Sequence, residues 1–150
     1  MMDHISIGTI LQALHQPVCL IDKLASQVLE ERTSITLSQF MLLMVLKEKG
    51  TICQRESADM LGLTQAAVSR QLTGLSKKRF IKQKIDPKNR RAHTLVLTPE
   101  GRLGLSQALK ALTEFFESYF KELDQSQRKS LLESLAAVTK VITHKPCTYE

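Results

Sequence analysis

TQAAVSRQLTGLSKKRFIKQKIDPKNRR, residues 64–91, reads as a helix that runs directly into a pair of short strands around a basic turn. Val68, Leu72 and Leu75 recur at the spacing that keeps one helical face apolar, so Gln65, Ala66, Ser69, Arg70, Thr73 and Lys77 fall on the other. The helix is predicted over residues 64–79. Residues 81–85 alternate and residues 92–97 are β-branched and apolar, which suits two strands. Between Arg70 and Arg91 stand nine basic residues and one acid, Asp86. That stretch therefore carries +8, whereas the whole chain carries +6, so the other residues are net acidic. Positive charge gathered in one place addresses a polyanion, and nucleic acid is the leading candidate.

The residues just upstream fix how this helix is held. Residues 53–62 form a short helix ending at Gly62, and Thr64 can cap the next one with its hydroxyl. Ala58, Gly62 and Val68 reproduce the spacing of a helix-turn-helix: a small residue for close approach, a glycine for positive φ in the turn, and an apolar residue packing back. On the outer face arginine can bond guanine bidentately, glutamine can bond adenine, and serine or threonine can reach bases or phosphates. The plainer alternative is a solvated helix face. At the strand turn, Pro87 and Asn89 favour the reversal, and Lys88, Arg90 and Arg91 would be held toward a duplex whose narrow minor groove attracts cations. Asp86 is expected to pair with one of these arginines and orient it.

Farther out the chain is helical. Leu14, Val18, Ile21, Leu24 and Val28 give residues 5–31 one apolar face, with Pro17 predicting either a kink or a separate short segment before it. Thr36 and Gln39 have capping-box spacing and open a second helix that stops at Gly50. Residues 51–52 read as an extended link. Downstream, Thr98, Pro99 and Glu100 supply a cap, a proline at the first helical position and an acid at the positive helix end. That helix continues through Leu105, Leu109, Leu112, Phe116 and Tyr119, with four aromatics between Phe115 and Phe120 marking a packing centre. Asp124 and Gln127 open a last helix with Leu131, Leu135, Val138 and Ile142 on one face, and Pro146 ends it. These outer helices hold more apolar surface than a central domain of about 60 residues could cover, so they are expected to pack on a second copy. A homodimer also suits a palindromic duplex site.

Composition narrows the classes further. The aromatic-poor basic stretch argues against binders that stack single-stranded bases and favours duplex DNA. Cys19, Cys53 and Cys147 are odd in number and far apart, so neither a disulfide framework nor a zinc site is signalled, and a reducing cytoplasm fits best. The first residues lack the pattern of a signal peptide, and the longest apolar run, residues 40–46, is too short to span a bilayer. His15 and Cys19 at helical spacing are too few for a metal, and His93 is expected to be structural. No Ser-His-Asp spacing, phosphate-cradling glycine loop or paired-carboxylate site is present, which excludes the common enzyme classes.

The whole pattern resembles the MarR family of winged-helix transcription regulators. Residues 37–50, the run from Glu56 to Thr64, Val68-Ser69-Arg70, residues 75–81, Asp86 to Ala92 and Leu97-Thr98-Pro99-Glu100-Gly101 carry the likeness over essentially the whole chain. It implies a mainly α fold with a small β-wing, in which a winged helix-turn-helix part (residues 36–98) is flanked by helical dimerisation parts (residues 1–35 and 99–145). It also implies a cytoplasmic homodimer, with the recognition helix (Thr64, Gln65, Ala66, Ser69, Arg70, Thr73, Lys77) in the major groove and the wing (Asp86, Lys88, Asn89, Arg90, Arg91) in the minor groove. No cofactor is implied, but activity is often set by a small aromatic or apolar effector or an oxidant. Lys88 stands at the first arginine of the usual D-x-R-x-x-R wing, which makes Arg91 the better candidate for groove insertion. Ser57 replaces a usual leucine, either weakening packing or letting its hydroxyl bond locally, and Cys53 stands where Ser or Thr often caps. Cys19 is a candidate redox sensor like the reactive first-helix cysteine of some relatives, although neither Tyr119 nor Tyr149 is obviously placed to assist. The bland alternative is a buried, inert thiol. A second class of function also fits the charge: a winged-helix module that binds an acidic protein partner.

Overall fold

Local caps set most of the element boundaries. In the computed structural model residues 5–85 and 93–143 are described, and among them six helices and three strands follow in the order α1 (Ile7–Arg32), α2 (Leu37–Lys49), β1 (Ile52–Cys53), α3 (Gln54–Leu61), α4 (Gln65–Lys77), β2 (Ile81–Ile85), β3 (His93–Leu97), α5 (Pro99–Phe120) and α6 (Gln125–Thr143). The wing-tip residues Asp86, Pro87, Lys88, Asn89, Arg90 and Arg91 lie outside the described residues, as do Pro146, Cys147, Tyr149 and the side chain of His93. Two compact units divide between Thr113 and Glu114.

The capping boxes expected at α2 and α6 both form. Thr36 Oγ1 accepts from the Gln39 N–H while Gln39 Oε1 accepts from the Thr36 N–H. Asp124 and Gln127 exchange the same pair of bonds at 2.8 and 2.9 Å. Each box satisfies two backbone donors that a helix start leaves without partners. Gly50 ends α2 with φ 75° and ψ −49°, so it takes positive φ without being left-handed helical in ψ. Gly62 does adopt the left-handed conformation, at φ 61° and ψ 30°.

Three features differ from expectation. Pro17 does not set off a separate short segment, for the helix runs continuously from Ile7 to Arg32 with the proline inside it. Both Pro17 and Ala13, whose carbonyl loses its helical donor there, are exposed, and water can take up the bond. The extended link after α2 is a strand: β1 pairs antiparallel with β3 through Ile52↔Leu95 and Cys53↔Thr94, giving a three-stranded sheet in the order β1-β3-β2. The buried stripe of α5 is made of small residues, Gly101, Gly104, Ala108 and Ala111 with Leu105, whereas Leu109 and Leu112 are only partly buried.

The core of the first unit is built on α2, whose Leu42, Leu43 and Leu46 are buried together with Leu29, Ile35, Val68, Leu75 and Leu95. Ile81, Leu95 and Leu97 bring the sheet into that same core, with β2 and β3 in register from Ile81↔Leu97 to Ile85↔His93. In the second unit the rings of Phe115, Phe116, Tyr119 and Phe120 stand 5.3 to 6.3 Å apart, edge-on or tilted, as aromatic pairs prefer. Arg128 donates to the carbonyls of Leu123 and Phe120, tying the start of α6 to the end of α5.

Candidate nucleic-acid interface

The interface is built on a helix-turn-helix whose turn is closed by backbone and side-chain bonds. Cys53 caps α3 by accepting the Glu56 N–H on its sulfur at 3.4 Å, while the Glu56 carboxylate accepts the Cys53 N–H at 2.9 Å. The bond from the Cys53 N–H, with a smaller contribution from the Cys53 side chain, holds the Glu56 carboxyl below its ordinary value of 4.5, partly opposed by desolvation and slightly assisted by Lys49. Ser57 is buried and its hydroxyl donates to the Cys53 carbonyl at 2.9 Å, so local bonding is how a polar residue is accommodated at that position. Ala58 and Val68 are buried against one another's helices, and Leu63 N–H donates to the Ala58 carbonyl across the turn. Gln54 Nε2 donates to the Gln65 carbonyl at 3.3 Å, an additional tie between α3 and the first turn of α4.

α4 separates its two faces cleanly. Val68, Leu72 and Leu75 are buried, and Thr64, Gln65, Ala66, Ser69, Arg70, Thr73 and Lys77 are all exposed. Thr64 also caps the helix, accepting the Ala67 N–H at 3.2 Å. Thr73 commits its hydroxyl proton to the Ser69 carbonyl at 3.0 Å, which leaves it a methyl group and acceptor lone pairs to present outward. Arg79, Lys82 and Lys84 extend the exposed cationic surface toward the strands.

Lys78 departs from this pattern. Its ammonium turns inward and donates to the carbonyl of Ser34 and, at 2.8 Å, to Oε1 of Gln39. Burial holds it below its ordinary 10.5. One of the nine cations counted in the sequence thus belongs to the scaffold.

After α4 the chain makes a left-handed turn. Arg79 takes φ 59°, its N–H donates to the Ser76 carbonyl, and the Phe80 N–H donates to the Leu75 carbonyl, which together form a Schellman stop with arginine where glycine is usual. Thr98 fastens this turn to α5. Its N–H donates to the Phe80 carbonyl at 3.0 Å, its hydroxyl donates to the Arg79 carbonyl at 2.7 Å, and the same oxygen accepts the Gly101 N–H. A Cβ at Gly101 would run into the Phe80 carbonyl, and one at Gly104 would lie 2.7 Å from the Phe80 ring. The sequence marks Thr98 as a cap but carries no local sign that it also binds a turn nineteen residues earlier.

Elsewhere, a cleft of about 630 Å³ opens between the end of α2, the sheet and the first half of α5. Leu46, Val96, Leu105 and Leu109 line its apolar part, and Lys47, Lys82, Lys84 and Arg102 line the rest, with no acid among them. Cys19 is exposed in the chain, not buried, and its sulfur lies 3.6 Å from His15 Nε2. Among the described residues no group of three or more His, Cys, Asp or Glu side chains could hold a metal, and no helix is long and apolar enough to cross a membrane.

Comparison with known proteins bears on this geometry. The profile of the MarR family matches residues 35–93. An HTH-type transcriptional regulator of Bacillus cereus is 32% identical over 111 residues, which cover 73% of this chain and 74% of that protein. Among solved structures, the transcriptional repressor CouR bound to a 23-mer DNA duplex is 24% identical with a TM-score of 0.73, over 91% of this chain and 99% of that one. A single-site mutant of MarR from E. coli complexed with operator DNA is 20% identical with a TM-score of 0.67, over 89% and 99% of the two chains.

Proposed function

The chain belongs to the MarR family of helix-turn-helix transcription regulators, and from that premise we propose that it is a repressor that binds a palindromic operator as a homodimer. The observation that carries this reading is the outer face of α4, where every exposed side chain is polar, cationic or small while Val68, Leu72 and Leu75 anchor the helix beneath. In the proposal Gln65, Ser69 and Arg70 read base edges in the major groove. Thr73 contributes its methyl group and acceptor oxygen, and Thr64, Ala66 and Lys77 lie against the backbone or the groove edge. The wing residues Asp86, Lys88, Asn89, Arg90 and Arg91 are assigned to the minor groove and its phosphates. Relatives solved on operator DNA and on a 23-mer duplex lend support. The domain division proposed is a winged helix-turn-helix part over residues 36–98, with helical dimerisation parts over residues 1–35 and 99–145, working in the cytoplasm.

Release is assigned to a small effector or an oxidant. The cleft beside the sheet, apolar within and bordered by four cations, suits an apolar molecule bearing one anionic group. Such a ligand would act by holding α5 and the sheet in an arrangement that DNA binding disfavours.

Selection of bound duplexes from a random pool, repeated at two salt concentrations, tests the reading. A palindromic consensus with steep salt dependence is expected, because each neutralised phosphate releases counterions. Absence of any enriched duplex, together with binding to an acidic protein surface, would replace this function with that of a protein-interaction module.

A further inference from the structure

We propose that Lys78 and Gln39 form a clamp that positions the recognition helix α4 against the connection between α1 and α2, a role distinct from touching DNA. The inference rests on the reading of α4 as the recognition helix. It starts from Lys78, which among the described cations of the basic stretch is the one turned away from the exposed face. Lys78 Nζ donates to the Ser34 carbonyl and to Gln39 Oε1 at 2.8 Å, groups 44 and 39 residues earlier in the chain. Gln39 is only 6% exposed. Its Oε1 accepts from the Thr36 N–H as well, so one side chain joins the start of α2 to the end of α4.

Two further observations separate positioning from simple stabilisation. Among the described residues no carboxylate is paired with Lys78, and a partly buried cation held by neutral acceptors pays desolvation that an apolar side chain of similar volume avoids. What the ammonium supplies instead is direction, since it donates to two acceptors at once. Gly74 gives the second observation. A glycine inside a helix weakens it, and here a Cβ would stand 2.6 Å from Gln39 Nε2. The glycine thus clears a path for the Gln39 amide across α4. Gly74 lies on the helix that carries Arg70 and Thr73 and Lys78 closes its end, so a shift of the clamp on Gln39 of α2 moves those side chains against the bases.

The test uses the full chain and the duplex enriched from the pool, with operator affinity measured across a salt series and melting temperature measured alongside. Lys78→Met should lose about tenfold or more in affinity, as a displaced base contact does, with the slope of log affinity against log salt unchanged. Lys78→Arg, which can still donate to both acceptors, should recover most of the loss. Gly74→Ala should melt at or above the parent temperature, because it gains helix propensity, and yet bind the operator more weakly by displacing Gln39. A salt slope reduced by about one in Lys78→Met would identify a phosphate contact and overturn the clamp. So would parent-like binding by both Lys78→Met and Gly74→Ala, or an affinity loss that follows the folded fraction alone. If the parent itself enriches no duplex, it is the DNA reading that falls, before any variant is compared.

Discussion

At residue 53 a cysteine does the work of a hydroxyl, and the energetic difference is measurable. Sulfur is a weak acceptor, and its 3.4 Å bond to the Glu56 N–H satisfies the helix start less well than an oxygen would. Cys53→Ser should therefore raise stability by about 0.5–1 kcal/mol in urea denaturation, in line with ordinary capping effects, and an unchanged or lower midpoint would refute the assignment. The other half of the box titrates. Glu56 is an acid whose folded pKa lies below its unfolded one, so its contribution is fully present above 4.5 and is lost as pH falls through the depressed folded value. Amide exchange in α3 should accelerate in that window, and the acceleration should be absent in Glu56→Gln. Cys19, exposed and 3.6 Å from His15, is the candidate residue for the oxidant response proposed above. A Cys19→Ser protein should keep its hold on DNA under peroxide; release like that of the parent removes oxidation at Cys19 from the mechanism. Residues whose role is local were legible in the sequence. The caps Thr36, Thr64 and Asp124 act within four positions and could be read directly, whereas the partners of Lys78 lie 39 and 44 residues away and its inward turn had no local signal.

The elements show the same division between local and distant causes. The faces of α4 followed from a 3.6-residue period, which needs no knowledge of what packs beneath. β1 is two residues long, and only its pairing with Leu95 and Thr94, some forty residues on, makes it a strand. α5 was read by its leucines, yet its closest packing is made by glycines and alanines, because the turn after α4 presses its backbone and the Phe80 ring onto the helix. Gly101→Ala tests that contact. Its Cβ would meet a backbone carbonyl that is itself hydrogen-bonded to Thr98, so the helix or the turn must move, at a cost of about 1–3 kcal/mol or more. A melting temperature equal to the parent's would show that the two elements approach less closely than described. On α4, Arg70→Ala should relax preference at one base pair by about 1–3 kcal/mol, whereas Arg91→Ala, if the wing grips backbone and groove, should weaken all duplexes alike. Parallel selection profiles for the two variants would remove this separation of reading from grip.

For the whole molecule, the outer helices supply the remaining argument. α1 buries only Ala25, Val28 and Leu29 within its unit, and Val18 is 52% exposed along the same apolar face. On the apolar face of α6 no residue is fully buried: Val138 is half-buried, while Leu131 is 41% and Leu135 47% exposed. Covering the part of each such leucine that is still exposed contributes about 1 kcal/mol, so a stable symmetric pair draws on several such side chains from both copies. Pairing also has a geometric use, because two copies of α4 must reach successive major grooves about 34–36 Å apart for one dimer to read both half-sites. Leu135→Glu places a charge in the proposed contact and should give a monomer in sedimentation. Its operator affinity should fall by about 10²–10⁴-fold through lost bivalency, and its salt slope should drop to about half as fewer phosphates are engaged per binding event. A variant that sediments as the parent does and binds the operator with the parent's slope would take α6 out of the dimer contact and leave α1 to carry the pairing alone.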